Sequence, residues 1–294
     1  MLAIAGPPAH EVPIEQARAG HEAETEHLSG PGEPVAEVRE LAIEAPSCTI
    51  PARLYRPEGE SPLPLLAYLH GGGWMLGSVD SFDTVVRALA NASGAIVVSV
   101  GYRLAPEAPF PAGLEDALCA VRWVAANAAE LGADPERLAI AGDSAGGNLA
   151  TVVARRLRGE VPLRTQALIY PVTDAGCNTA SYREFGERHG LTAASMQRFW
   201  NLYLNGGDGL HPDASPLRAE DLAGSPPAFV LTAGFDPLRD EAEAYCEALR
   251  DAGVDVECHR YDGAIHGFWR WLAVTDLSRR AVEDVAGALR ERLA

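Results

Sequence analysis

Ser144, Asp236 and His266, together with the glycines of His70-Gly71-Gly72-Gly73-Trp74, are residue types that in concert can transfer an acyl group. A serine hydroxyl is a poor nucleophile. It needs a base to take its proton, a group to orient that base, and donors for the negative oxygen of a tetrahedral intermediate. Ser144 lies in Gly142-Asp143-Ser144-Ala145-Gly146-Gly147. In a G-x-S-x-G turn the small residues let a strand and a helix approach closely and leave the hydroxyl exposed on a strained bend. The pattern by itself is as readily a plain turn. Here an apolar run, Leu138–Ala141, precedes it and a helical stretch, Ala145–Leu157, follows it, so that a helix N-terminus favours negative charge beside Ser144.

Consecutive glycines are costly in chain entropy, so Gly71-Gly72-Gly73 is either a flexible surface loop or a loop that must bring backbone close to something. On the second reading the N–H groups of Gly72 and Gly73, joined by that of Ala145, form an oxyanion hole, each donor worth about 3 kcal/mol in the transition state. His70 is expected to brace this loop. The expected base is His266, reached from a strand Val254–Tyr261 through Asp262-Gly263-Ala264-Ile265. His259 falls inside that strand, as a packed or edge residue. His10, His21 and His27 belong to the N-terminal segment, and His189 and His211 to an apparent insertion. Asp236 follows a strand Ala228–Thr232 and precedes Pro237. It is either an N-cap or the carboxylate that holds His266 in one tautomer. Its rivals, Asp240 and Glu241, lie inside the next helix. Asp143 is read as a loop-fixing acceptor pointing away from Ser144.

The elements that must position these residues are legible in outline. Leu41, Ile43 and Ala45, then Cys48, Ile50, Ala52 and Leu54, alternate across the short Pro46-Ser47 link and predict an antiparallel pair. Leu63–Leu69, Ala95–Val100, Leu138–Ala141, Ala167–Ile169 and Ala228–Thr232 are continuous apolar runs, which implies burial on both faces and a parallel sheet. Helical stretches at Leu114–Ala129, Leu238–Asp251 and Asp276–Leu293 imply right-handed crossovers around a doubly wound α/β sheet. Pro13–Leu28 predicts a polar N-terminal helix, broken by Ser29–Pro34. Residues 177–216 interrupt the alternation. They hold a helix over Thr192–Leu204 that is either an ordinary crossover with an aromatic core face or a lid.

Composition narrows the function. The 294 residues suit one large α/β domain, and a chain of this size buries roughly 75% of its unfolded surface without help from metals or disulfides. The net charge of −17 argues against nucleic acid and disfavours strongly anionic substrates, unless a local arginine overrides it. The sequence contains no lysine, which excludes a Ser–Lys dyad, a Schiff base to pyridoxal phosphate and a Walker loop. Cys48, Cys119, Cys177, Cys246 and Cys258 are scattered and odd in number, so free thiols in a reducing, cytoplasmic setting are expected, with no metal site. Met1 to His10 lacks a basic n-region, and neither a signal peptide nor a membrane span is read.

His70–Trp74, Tyr102-Arg103-Leu104-Ala105-Pro106-Glu107, Gly142–Gly147, Asp236-Pro237-Leu238-Arg239-Asp240-Glu241 and His266-Gly267-Phe268 together resemble the bacterial hormone-sensitive-lipase-like esterases, family IV of the lipolytic enzymes, in the subgroup with the GDSAGG elbow. The resemblance runs from about residue 35 to the C-terminus. It implies an α/β-hydrolase fold, a mostly parallel central sheet flanked by helices on both faces with a helical cap. The core would be 35–176 and 217–294, and the cap 1–34 and 177–216. It implies Ser144 as nucleophile, Asp236 as orienting acid, His266 as base, and Gly72, Gly73 and Ala145 as the oxyanion hole. Trp74, Met196, Phe199, Trp200 and Tyr203 are the expected substrate-binding residues. The expected activity is hydrolysis of short- to medium-chain esters without a cofactor. An amidase, a lactonase or a natural-product deacetylase would share the machinery, and a non-catalytic receptor would share the scaffold. Members of that family often pair as homodimers through edge strands near the C-terminus.

Overall fold

The structure is a computed structural model and describes residues 9–294. The segment read for the absence of a leader, and the start of the expected N-terminal cap segment, lie at 1–8, outside the described residues. Eight strands form one sheet in the order β1-β2-β4-β3-β5-β6-β7-β8: β1 (Glu37–Glu44), β2 (Thr49–Arg56), β3 (Leu63–Leu69), β4 (Ile96–Val100), β5 (Ala133–Asp143), β6 (Leu163–Ile169), β7 (Ala228–Phe235) and β8 (Val256–Ile265). The predicted hairpin is present, with Ile43 opposite Ile50, and β2 also runs antiparallel to β4. All other pairings are parallel.

The apolar runs are buried on both faces, as their continuity requires. In β3, Leu65, Ala67 and Leu69 join one core, while Leu66 and Tyr68 join the other. The first core is closed by α3 (Ala112–Ala126), α4 (Ala145–Arg156) and α7 (Arg239–Asp251), through Leu114, Val121, Leu149 and Leu249. The second is closed by α2 (Asp83–Ser93) and α8 (Asp276–Arg292), through Val85, Leu89, Val285 and Leu289. The helix α2, unassigned from sequence, is the β3–β4 crossover and ends at Gly94 in the left-handed region.

Two boundaries depart from expectation. β5 begins five residues early because Ala133 pairs with Leu63. β8 runs on through the expected loop to Ile265, which pairs with Phe235 across a register shift, so His266 leaves the strand end directly.

The polar N-terminal helix α1 (Ile14–Ser29) and the 177–216 stretch, with α5 (Ala180–Phe185) and α6 (Ala193–Leu204), stand outside the strand–helix alternation. Thr179 and Thr192 cap α5 and α6 by accepting the N–H of Tyr182 and Ser195. Among the described residues no helix is long and apolar enough to cross a membrane.

Candidate active site

β5 ends at Asp143 and α4 begins at Ala145, leaving Ser144 between them at φ 54°, ψ −118°. Such a conformation is costly for a residue with a Cβ and persists only where its surroundings impose it. Those surroundings explain the glycines. A side chain at Gly142 would run into the carbonyl of Gly146, and one at Gly146 into the carbonyls of Leu69 and His70. The Ser144 N–H donates to the Ile169 carbonyl at 2.8 Å, anchoring the turn to β6.

The structure brings the three expected side chains into one hydrogen-bonded chain. The Ser144 hydroxyl lies 2.9 Å from His266 Nε2, and His266 Nδ1 lies 2.7 Å from Asp236 Oδ2. Asp236 is fully buried, and its other oxygen accepts the Leu238 N–H at 2.9 Å. Of the two readings left open by sequence the structure favours the imidazole contact: α7 starts at Arg239 with Leu238 as its N-cap, so Asp236 closes the turn before the helix and does not cap it. Its rivals are committed elsewhere. Asp240 accepts the Ser181 N–H at 2.8 Å, and Glu241 accepts that of Thr173 at 2.7 Å. The His266 ring packs against Tyr170, with centroids 4.4 Å apart. His259 sits at the surface of the edge strand β8, 2.8 Å from Glu257.

The glycine loop is held from below. Asp143 Oδ1 accepts from the Tyr68 hydroxyl at 2.7 Å and from the Gly71 N–H at 2.9 Å. His70 donates from Nδ1 to the Gly71 carbonyl at 2.8 Å and stacks on Tyr102 at 4.5 Å, while the Tyr102 hydroxyl donates to the His70 carbonyl at 2.7 Å. Burial drives the two buried side chains in opposite directions: the His70 pKa falls to about 4 and that of Asp143 rises to about 6. Gly72 and Gly73 both have positive φ, and a side chain on either would strike Leu76 or Phe199. Neither amide is used in a turn of the loop itself. Ala145 is the first residue of α4, where an amide has no intrahelical acceptor.

A cavity of about 660 Å³ opens over Ser144 and His266 and is lined also by Gly72, Gly73, Asp143, Met196 and Phe199. Three of the expected pocket residues do not reach it. Trp74, Trp200 and Tyr203 instead pack on one another, Trp74 stacked on Tyr203 at 4.2 Å and tilted against Trp200 at 4.5 Å. They are buried support for the loop because the C-terminal part of α6 packs into the core, while Met196 and Phe199, nearer its N-terminus, line the cavity. The rest of the wall comes from α1, expected in the cap but with none of its lining residues named (Ala17, His21, Glu24), and from the stretch after His266, which sequence reasoning missed (Gly267, Arg270, Trp271). Arg198 of α6 donates to the carbonyls of Ala9 and Val12, and His10 meets Ser195 at 3.0 Å, which joins α1's leading edge to α6. Arg18 fastens α1 to the core through two 2.7 Å bonds to Glu107 and one of 2.9 Å to the Met75 carbonyl.

A serine hydroxyl hydrogen-bonded to an imidazole, itself held by a buried carboxylate beside free amides, can carry out nucleophilic acyl transfer. The known proteins that the chain is similar to include ester hydrolases. A family profile described as alpha/beta hydrolase fold matches residues 66–270. A carboxylic ester hydrolase of Mycobacterium tuberculosis is 41% identical over 95% of this chain and 77% of its own. An ethyl acetate hydrolase of Pseudomonas putida is 38% identical over 97% of this chain and 92% of its own. Among solved structures, the hyperthermophilic esterase of the archaeon Pyrobaculum calidifontis superposes with a TM-score of 0.92 at 44% identity, covering 96% of this chain and 94% of that one.

Proposed function

The chain belongs to the alpha/beta-hydrolase family, on its hormone-sensitive-lipase-like esterase branch, and from that premise we propose that it hydrolyses short- to medium-chain carboxylic esters through Ser144, His266 and Asp236. The observation that carries the reading is the 2.9 Å contact between the Ser144 hydroxyl and His266 Nε2. His266 takes the hydroxyl proton as Ser144 Oγ attacks the ester carbonyl. Asp236, accepting from Nδ1–H, keeps Nε2 free as the base and stabilises the imidazolium. The negative oxygen of the tetrahedral intermediate is received by the N–H groups of Gly72, Gly73 and Ala145. Collapse expels the alcohol, which takes its proton from His266, and leaves the acyl group on Ser144. Water, deprotonated by His266, then releases the acid by the same steps.

The cavity volume and its Met196–Phe199 side suit small apolar acyl groups, with α1 and the 177–216 stretch acting as the cap. The test is a series of p-nitrophenyl esters of graded chain length, with Ser144→Ala beside the parent. The variant is expected to stay folded by circular dichroism and to lose at least about 10³-fold in kcat. Parental rates in Ser144→Ala would remove the nucleophile assignment.

A further inference from the structure

The cavity over Ser144 and His266 is also lined by residues that carry donors without acceptors among the described residues. Arg270 is 8% exposed and lines the cavity. One guanidinium nitrogen donates to the Thr25 hydroxyl of α1, and the group lies over the Phe82 ring, 5.3 Å from its centroid. Among the described residues its remaining N–H groups make no hydrogen bond and no carboxylate sits within ion-pair distance of it. Three neighbours that line the same cavity share this condition. Trp271 Nε1, His21 Nδ1 and the Tyr170 hydroxyl are each shielded and without a partner among the described residues. Burial, then the charge of Arg270, pushes the His21 pKa well down, so the ring is neutral and can present an N–H. Two acidic groups line the same cavity, Glu24 and Asp143, and neither is within ion-pair distance of Arg270; Asp143 feels its charge only through space and is held by Tyr68 and the Gly71 N–H.

A bracing role accounts for two features of Arg270, the Thr25 bond and the stacking on Phe82. It does not account for a buried cation whose free donors face a cavity beside three further unpartnered polar groups. Burying a charge without a directly paired counter-charge is expensive, and water satisfies neutral donors without pairing a guanidinium. A carboxylate does both: it accepts two N–H bonds from an arginine fork and brings a negative charge into direct contact with it.

We propose that Arg270, with Trp271 and His21, forms a carboxylate-binding subsite, and that the protein acts on esters carrying a second, ionised carboxyl group, such as half-esters of dicarboxylic acids or esters of acidic alcohols. The inference rests on the hydrolase reading and adds a substrate class to it.

The experiment compares charged with neutral esters in pairs. With the charge on the acyl side, p-nitrophenyl hemiglutarate is set against p-nitrophenyl pentanoate. With the charge on the alcohol side, 4-acetoxybenzoate is set against p-tolyl acetate. The quantity read is the charged-to-neutral ratio of kcat/KM, from which any loss of folded enzyme divides out. In Arg270→Gln this ratio falls by about tenfold or more on at least one pair, the loss of one hydrogen bond to a charged group, and Arg270→Lys restores part of it. A ratio within about twofold of the parent on both pairs overturns the subsite. A second readout needs no turnover. Binding of 4-methylbenzoate, followed by tryptophan fluorescence, weakens by about tenfold in Arg270→Gln, and equal binding by both proteins overturns the subsite. If the parent binds 4-methylbenzoate through Arg270 yet cleaves none of the esters, the subsite stands and the hydrolase reading falls.

Discussion

Asp143 and His70, buried on either side of the Gly71 peptide, contribute to stability with opposite pH dependence. Burial raises the Asp143 pKa to about 6 against the pull of Tyr68, Arg270 and the Gly71 N–H, whereas an unfolded aspartate titrates near 3.9. Between those values the native state holds a proton that the unfolded chain has released. The contribution of Asp143 is therefore complete below about pH 4 and is lost as pH rises through about 6. Burial lowers the His70 pKa to about 4 against an unfolded value near 6.5, so its contribution is complete above about pH 6.5 and is lost as pH falls toward 4. At 1.36 kcal/mol per pKa unit each amounts to about 3 kcal/mol, and in the parent the two slopes largely cancel. Replacing either exposes the other. Relative to the parent, Asp143→Asn is expected to lose unfolding free energy as pH falls from about 6.5 to 4, and His70→Asn to gain it, by about 3 kcal/mol each. Urea titrations across that range decide the matter, and curves parallel to the parent would refute it. These side chains were legible in sequence because the chemistry dictates residue type at short spacing: Gly142, Ser144 and Gly146 on one turn, His70 to Gly73 on another. The partners of Asp143 were not. Tyr68 lies 75 residues away in the chain, and only the pairing of β3 with β5 brings it near.

At the level of elements, the same periodicity served two purposes and sequence could not separate them. Met196, Phe199, Trp200 and Tyr203 recur along one side of α6, and position along the helix axis divides them: Met196 and Phe199, nearer its N-terminus, line the cavity, and Trp200 and Tyr203, nearer its C-terminus, pack on Trp74. A helix with a wide apolar stripe presents it to whatever lies there, core or pocket. The α1 helix was expected as part of the cap, but the residues by which it lines the cavity left less trace. Its apolar content is low, and it is placed by polar fastenings, Arg18 to Glu107 and Arg198 to the Ala9 and Val12 carbonyls, with partners far off in sequence. The Tyr102–Glu107 motif gains a physical reason here. Tyr102 fixes His70, Arg103 clamps buried Asp116 of α3, and Glu107 receives Arg18. If α1 depends on these few bonds, Arg198→Ala frees its leading end from α6. The expected outcome is faster trypsin cleavage at Arg18 and a rise of roughly three- to tenfold in KM for a butyrate ester, with kcat changed less, since uniform binding is lost and the Ser144 geometry is not. Unaltered cleavage and KM would mean that α1 is held by its packing alone.

Across the whole molecule, two electrostatic influences act on an incoming substrate, and they differ in range. The chain carries a net charge of −17, and many of its arginines are already neutralised by carboxylates, as Arg53 is by Glu40 and Asp80, and Arg155 by Asp213. From a distance the protein repels an anion. Arg270 acts only inside the cavity, where ions of the solvent screen little. Salt separates the two. Raising ionic strength from about 0.01 to 0.15 M shortens the screening length from about 30 to 8 Å, which removes most of the long-range repulsion and leaves a buried contact nearly intact. For p-nitrophenyl hemiglutarate, kcat/KM is expected to rise by roughly two- to fivefold over that interval, while the neutral pentanoate ester stays level. The rise should persist in Arg270→Gln, at a lower rate throughout, because the substitution removes the contact and leaves the field of the surface in place. A fall with salt for the charged ester in the parent would show instead that attraction reaches well beyond the cavity, and the distribution of surface charge, rather than its sum, would then govern which esters arrive.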